Sequence, residues 1–455
     1  MILERNQTSV FRLSLFTLAF VLPVITFAAE KDSQRPNIIF ILTDDMGYSD
    51  VGCYGGKFVP TPNIDRMARE GVRFTQFYVA SPVCSPSRTG CLTGMFPARW
   101  RITNYLQTRA GNRASEQADF LDPKAPSIAR TLKAAGYATA HFGKWHMGGG
   151  RDVTNAPPFS AYGVDEHAST WESPEPDPNL TATNWIWSAE DKVKRWNRTA
   201  YFVDKTLDFL ERHKDRACYV NLWPDDVHTP WVPQGSSLRR NQGAQTQEKL
   251  RGVLAEYDRQ IGRLLDGLKA AGLDERTLVI FTSDNGPMPA FDGARTGGLR
   301  GSKISLYEGG IREPFIARWP GKIPAGKTDE LSVLCSVDLF PTFCALAKAR
   351  LPKAFSGDGV NVSQALFGKP MTGKRPLFWE YGRNDAFNYP GGRDRSPNVA
   401  VREGNWKLLI NADGSNAELY DLSQDEKETT NEATQNQRVA KRLSGKALAW
   451  RKSLP

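Results

Sequence analysis

The sequence predicts an α/β protein with a mostly parallel central sheet, helices on both faces of it, and a small C-terminal α+β subdomain. Three observations lead there. Amphipathic helical stretches are repeatedly followed by a glycine and then a short apolar run, the order expected of βαβ units. Two of those runs, "PNIIFIL" and "TLVIFTS", are continuous rather than alternating, which suits strands covered on both faces. From about Lys374 the texture changes to short strand-like pieces and one terminal helix. At 455 residues the chain has room for one large core with a satellite, or for two ordinary domains.

Taken in order, the chain opens with Arg5 and Arg12 ahead of "LSLFTLAFVLPVITFAA", then small residues and a polar stretch. This is the layout of an export signal cut after Ala28 or Ala29. A retained membrane anchor is the alternative, although the run is short for a span and holds Pro23. No cysteine stands at the cut site for a bacterial lipid anchor. Export implies a periplasmic or secreted protein if the source is bacterial. "PNIIFILTDD" (36–45) reads as a buried strand ending in two acids, and "NIDRMAREGVRF" as a short helix running into a strand. "SPVCSPSRTGCLTG" (81–94), rich in Ser, Pro and Gly, reads as a tight polar turn. Residues 125–146, "RTAYFVDKTLDFLERHKDRACYVNLW" and "LRGVLAEYDRQIGRLLDGLKAAGLDERTLVIFTSDNG" each read helix, then strand. Residues 151–198, poor in pattern and holding Trp171, Trp185, Trp187 and Trp196, read as a long insertion whose tryptophans serve packing more than sugar stacking. "PLFWEY", "NVAVREGNWKLLI" and "AELYDL" are strands, and "QNQRVAKRLSGKALAWRKSL" is a helix. The expected division is a signal peptide at 1–29, an α/β domain at 30–373 and the subdomain at 374–455.

Composition excludes several classes. With 40% hydrophobic and 24% charged residues the chain is globular rather than disordered. The net charge of +9 falls by one when residues 1–29 are removed, and favours anionic partners weakly. The basic residues are scattered, without a zinc-finger or basic-helix pattern, so nucleic acid is not an expected partner. Six cysteines (Cys53, Cys84, Cys91, Cys218, Cys335 and Cys344) are too few for a disulfide scaffold, and no C-x-x-C pair marks structural zinc. Cys335 and Cys344 read as buried hydrophobes, and a Cys84–Cys91 bridge is left open.

Ligands of such sheets collect beyond the carboxyl ends of the strands, and the chemistry-bearing residues fall there. Asp44 and Asp45 end one strand and Asp284 and Asn285 another, an acid-rich oxygen set suited to Ca²⁺, or Mg²⁺, rather than zinc. Lys144 and His146 follow a third strand and His228 a fourth. Lys303 sits in the glycine-rich "GLRGSKISLYEGG". Arg88, Lys144 and Lys303 beside a cation describe a pocket for a tetrahedral oxyanion, phosphate or sulfate. On the residues alone Cys84 is a disulfide partner, a metal ligand, a thiol nucleophile or a precursor to something else.

These stretches resemble the sulfatase family, whose active members carry formylglycine. "CSPSRTGCLTG" (84–94) is similar to the family's modification motif, C-x-P-S-R-x-x-x-L-T-G, except at Cys91, where an aliphatic residue is usual. "GYATAHFGKWHMG" (136–148) is similar to its second motif. "ILTDDMGYSDVGCYGG", "PDDVHTPW", "TSDNG", "GGLRGSKISLYEGGIREPFIARWPG" and "ELYDL" extend the likeness across nearly the whole chain after residue 36. The wording around Cys84 and Lys303 most resembles the arylsulfatase A and N-acetylgalactosamine-6-sulfatase branches. The resemblance implies an alkaline-phosphatase-like sulfatase fold and hydrolysis of a sulfate ester, on a sulfated small molecule or polysaccharide. It implies one Ca²⁺ held by Asp44, Asp45, Asp284, Asn285 and residue 84, and a maturation enzyme that converts Cys84 to formylglycine. It further implies that Arg88 steadies residue 84, Lys144 and Lys303 grip the sulfate, His146 acts as base on residue 84, and His228 with Lys303 serves the leaving oxygen. Two rivals differ in class: a phosphatase or phosphodiesterase of the same superfold, which normally carries more acidic ligands, and a non-catalytic binder of sulfated glycans in which residue 84 stays a cysteine.

Overall fold

The computed structural model describes residues 1–2, 35–236, 245–353, 355 and 357–455. The expected export signal, apart from residues 1–2, lies outside the described residues. The order is β1 (Asn37–Thr43), α1 (Pro62–Arg69), β2 (Val72–Tyr78), α2 (Cys84–Thr93), α3 (Arg109–Ala114), α4 (Ile128–Ala134), β3 (Ala138–Gly143) and β4 (Glu166–Ser169). Then come α5 (Arg198–Arg212), β5 (Cys218–Trp223), α6 (Gln247–Ala270), β6 (Thr277–Ser283), α7 (Glu308–Ile311) and β7 (Arg312–Arg318). Short pieces β8 (Lys327–Asp329), β9 (Leu334–Cys335), α8 (Leu339–Leu346) and α9 (Ser363–Leu366) lead to β10 (Leu377–Glu380), β11 (Val399–Glu403), β12 (Trp406–Ile410), β13 (Glu418–Asp421) and α10 (Gln437–Lys452).

The central sheet runs β4-β3-β5-β1-β6-β7-β2-β8, with β9 also pairing β2. Among the described strands of this sheet only β7 runs against the rest, pairing antiparallel with β6 and β2. All seven residues of β1 are buried, and alternate ones belong to opposite cores. Ile38, Phe40 and Leu42 pack with α4, α8 and the C-terminal segment, whereas Ile39 and Ile41 pack with α1, α5 and α6. A continuous apolar strand is therefore the sequence of a sheet with two covered faces.

Two expectations need correction. Residues 151–198 are not only an insertion: β4 inside them pairs in parallel with β3 and forms one edge of the main sheet. Four residues with one aromatic neighbour are too short for a period to show. The stretch at 81–94 is not a polar turn either, because Cys84 opens the ten-residue helix α2. Every residue of α2 is buried. Thr89 Oγ1 donates to the Ser85 carbonyl at 2.9 Å and Thr93 Oγ1 to that of Thr89 at 2.8 Å, so small polar side chains satisfy themselves against the helix. Pro86 is tolerated in the first turn, where its missing N–H costs nothing. A Cβ on Gly90 would come within 2.5 Å of the Ala80 Cβ, and this close approach seats the helix. The six cysteines are all free, so Cys84 and Cys91 are not bridged.

The C-terminal segment forms a second, antiparallel sheet in the order β10-β11-β12-β13. Ala440, Leu443, Ala447 and Trp450 of α10 face it at helical spacing, and Trp450 stacks on Phe378 with ring centres 5.1 Å apart. This segment grips the loop that carries Lys303. Arg300 Nη1 donates to Tyr420 Oη at 2.9 Å, Ser305 Oγ to the Asp394 carbonyl at 2.7 Å, and the Leu306 amide to Ser396 Oγ at 2.9 Å. Below the loop, the fully buried Lys407 Nζ lies 2.9 Å from both Glu308 Oε1 and Glu428 Oε1. Among the described residues no helix is long and apolar enough to cross a membrane.

Candidate functional site

Strands β3, β5, β1 and β6 are parallel neighbours, so their carboxyl ends lie side by side. Lys144 directly follows β3, Asp225 and His228 follow β5, Asp44 and Asp45 follow β1, and Asp284 and Asn285 follow β6. Cys84 enters from the N-terminus of α2, where Val83 is extended and provides no side-chain cap. Such an end favours an anion. Ligand atoms of Asp44, Asp45, Cys84 and His228 all lie within 4.8 Å of one another. The structure thus gathers all ten predicted site residues around one centre, and Asp44, Cys84, Lys144, His146, His228 and Lys303 line a single cavity of about 410 Å³.

The centre is densely charged and buried. Arg88 Nε and Nη2 donate to Asp284 Oδ2 at 2.9 and 2.7 Å, and Nη2 lies 3.3 Å from Asp44 Oδ1. Its Nη1 donates to the Lys144 carbonyl at 2.8 Å. Lys144 Nζ donates to Asp44 Oδ2 at 2.8 Å and to Cys84 Sγ at 3.6 Å. Lys303 Nζ spans Asp45 Oδ1 and Oδ2 at 2.6 and 2.8 Å. Burial opposes ionisation of Asp44, yet Lys144, with His228, Arg88 and Lys303, holds its carboxyl well below the usual range. Asp284 goes the other way: burial, with Asp44 and Asp45 beside it, outweighs Arg88 and lifts its carboxyl to about 7.

That crowding tests the fit of a cation. Asp44 Oδ1 and Asn285 Oδ1 are buried without hydrogen-bond partners, while Asn285 Nδ2 donates to Asp45 Oδ1 at 2.7 Å. Buried polar atoms are rarely left in that state. Three carboxylates converging with orphaned oxygens are the hard donor set of Ca²⁺ or Mg²⁺. The residues therefore fit a divalent metal. The thiol of Cys84 does not fit a nucleophile: burial pushes it to about 12 despite Lys144 and Lys303, and a neutral thiol is a poor one.

Asp45, His146 and Ile304 have φ of 59°, 54° and 65°. Left-handed backbone at non-glycine residues is uncommon and strained, and these three positions bear on the centre or adjoin Lys303. His146 Nε2 lies 3.2 Å from the Leu106 carbonyl, and His228 Nδ1 donates to the Thr229 carbonyl at 2.6 Å, with its Nε2 3.6 Å from Asp45 Oδ2. Burial lowers both imidazoles, His146 to about 3.

Several residues at the site were not singled out from the sequence. Asp225 accepts from Arg195 Nη1 and Arg198 Nη1, each at 2.9 Å, while Arg195 Nη2 donates to the His228 carbonyl at 2.7 Å and fixes that loop. "WPDD" carries the same mark as "LTDD", paired acids ending an apolar strand, and could have been found by the same rule. Arg151 and Glu172 line the cavity from the stretch read as an insertion, and so does Trp171, which the sequence reading had assigned to packing. Trp187 is buried packing, as expected.

The chain is similar to known proteins over most of its length. The family profile described as Sulfatase matches residues 36–349, and one described as N-sulphoglucosamine sulphohydrolase, C-terminal, matches 302–453. The chain is 31% identical over 487 residues to the N-acetylgalactosamine-6-O-sulfatase of Bacteroides thetaiotaomicron, covering 91% of this chain and 93% of that protein. It is 34% identical over 408 residues to arylsulfatase A of Homo sapiens, covering 84% and 76% respectively. A solved Bacteroides thetaiotaomicron structure, described under metabolism of multiple glycosaminoglycans, aligns with a TM-score of 0.72 at 28% identity, over 90% of this chain and 98% of that one.

Proposed function

The chain belongs to the sulfatase family and is a sulfuric ester hydrolase, and from that premise we propose that it desulfates a carbohydrate of glycosaminoglycan type, using a formylglycine made from Cys84 and one Ca²⁺. The observation that carries the reading is the seat of Cys84. Its Sγ shares a 4.8 Å cluster with Asp44, Asp45 and His228, and an ammonium stands 3.6 Å away. A buried thiol has no use there, whereas oxygen on the same carbon is both a hard ligand and a nucleophile. The carbohydrate substrate is supported by the names of the relatives and by a cavity of small-ligand size. Export through residues 1–29 belongs to the same reading, and places the enzyme in the periplasm or outside the cell if the source is bacterial.

Asp44, Asp45, Asp284, Asn285 and residue 84 would hold the metal, which supplies fixed positive charge where oxygen charge develops. A formylglycine at residue 84 would, as its hydrate, supply two oxygens on one carbon, the chemistry needed both to attack the ester sulfur and to release the sulfate afterwards. The remaining work falls to the chain itself. Lys144, paired with Asp44, and Lys303, paired with Asp45, bind the sulfate oxygens. Arg88 holds Asp284 and Asp44 in place, so it acts on residue 84 through the carboxylates it orients. With Nδ1–H committed to the Thr229 carbonyl, Nε2 is the atom through which His228 gives a proton to the leaving alcohol, and it does so as the imidazolium, which Asp45, 3.6 Å away, favours. His146 receives a proton from residue 84 when sulfate departs. Because α2 is buried throughout, the maturation enzyme must reach Cys84 before the chain has folded.

Assays with sulfated mono- and oligosaccharides, beside one phosphate ester, test the reading: sulfate release is expected, and phosphate release without it would instead favour a phosphatase. His228→Ala should slow esters of poor leaving groups about 10²-fold or more while sparing nitrophenol-like ones, which need little proton assistance. Equal losses across a leaving-group series would assign His228 to binding alone. His146→Ala should slow release of the covalent sulfate, so a burst of alcohol and a trapped ester at residue 84 are expected in single-turnover mass spectra. Turnover with no trapped ester would remove His146 from that step.

A further inference from the structure

Beside His146 stands a carboxylate that neither the family motifs nor the mechanism above employs. Glu172 Oε2 lies 3.4 Å from His146 Nε2, and Oε1 accepts from Arg151 Nη2 at 2.7 Å. The His146 amide also donates to the Glu172 carbonyl at 3.0 Å, so ring and backbone are tied to the same residue. Arg151 in turn lies over the Trp171 ring, 4.9 Å from its centre. The glycines between His146 and Arg151 make this arrangement possible. A Cβ on Gly149 would meet the Ser173 carbonyl carbon at 2.3 Å, and one on Gly150 the Trp171 carbonyl oxygen at 2.7 Å. "HMGGGR" therefore lays its backbone directly against 171–174 and closes a chain from Trp171 through Arg151 and Glu172 to His146.

We propose that Glu172, clamped by Arg151, is the positioning residue of His146, as the carboxylate is in other carboxylate–histidine pairs. This rests on the reading of His146 as the base. With the Leu106 carbonyl and Glu172 both facing Nε2, the proton of the neutral ring is held there. Nδ1, buried and without a partner, is left as the lone pair. When Nδ1 takes the proton from residue 84, the ring becomes a cation, and its charge lands beside Glu172. Among the described residues, Lys144, Arg151 and Arg88 oppose that charge, and Glu172, 3.4 Å from Nε2, favours it most strongly.

Two measurements test this. In the mature enzyme, Glu172→Gln keeps the volume and removes the charge; kcat should fall about tenfold or more with KM within about twofold, as a general base losing its support. In a His146→Ala background the same substitution should cost nothing further, because the two act as one unit. Separately, Cys84→Ala protein labelled with ¹⁵N-histidine reads the ring without turnover, and five histidines make assignment by single substitution practical. His146 should show a protonated Nε2 and a bare Nδ1, with its Nε2 proton moving upfield in Glu172→Gln as the neighbouring negative charge is lost. A raised KM with unchanged kcat would make the Arg151–Glu172 pair a substrate contact and overturn the proposal. So would an undiminished Glu172→Gln loss in the His146→Ala background, or an unmoved His146 resonance. Full turnover by His146→Ala would remove the base itself and the inference with it; an impaired His146→Ala beside an unaffected Glu172→Gln would remove the inference alone.

Discussion

Cys84→Ser protein is expected to release at most one equivalent of alcohol and then stop, with steady turnover lower by about 10⁴-fold or more. A serine hydroxyl at the head of α2 sits where the thiol now sits, among Asp44, Asp45, Lys144 and His228, and can attack sulfur. It has no second oxygen on its carbon, so the sulfate ester it forms cannot collapse. Intact-mass measurement should then find one sulfate added at residue 84. Cys84→Ala should show neither burst nor adduct. Wild-type protein made without the maturation enzyme should be similarly inert, since burial keeps its thiol protonated near neutral pH. Sustained turnover by Cys84→Ser, or full activity in protein whose residue 84 is an intact thiol by mass spectrometry, would refute the mechanism.

Asp45→Asn and Asp284→Asn are expected to lose the metal and about 10³-fold or more of turnover while staying folded. Asparagine is the fair substitution here, because Arg88 places two hydrogen bonds on Asp284 and alanine would strand a buried guanidinium. Elemental analysis and thermal melts check the two halves of the claim, and a metal-free wild-type enzyme with full activity would sink it. The site also sets a pH dependence. In the metal-free protein Asp284 holds its proton up to about 7, whereas an unfolded aspartate loses it near about 4. Between those values the folded state binds more protons than the unfolded one, so metal-free stability falls as pH rises through the window. Metal needs the bare carboxylate and binds more tightly over the same range. Added Ca²⁺ should therefore raise Tm more at about pH 8 than at about pH 5.

The sheet and the placing of the acids were legible because one physical fact wrote both. A strand covered on two faces has to be apolar throughout, so Asp44 after "IIFILT" and Asp284 after "VIFTS" stand out as charge at the rim of a dry core. α2 was not legible. Its Ser, Thr, Gly and Pro are chosen for a buried seat and for bonding their own backbone, and in isolation they spell a turn. The edge strand β4 was too short to carry a period. Glu172 was hidden for another reason: it lies 26 residues past His146 in the chain, and nothing local announces that a run of three glycines will fold back onto it. The left-handed backbone at Asp45, His146 and Ile304 is likewise set by tertiary packing rather than by residue type.

The loop bearing Lys303 leans on Asp394, Ser396, Tyr420 and, through Glu308, on Lys407 and Glu428. One consequence concerns how such an enzyme can be rebuilt. The two sheets look like interchangeable cassettes, but a chain cut after residue 373 would take Lys407 from Glu308, leaving it Arg312 at 3.7 Å, and put Lys303 on an unbraced tether. Recombination between relatives should then succeed only when the 300–308 loop travels with its own C-terminal partner. Chimeras joined inside that pairing should fold around an intact acid cluster and still turn over poorly.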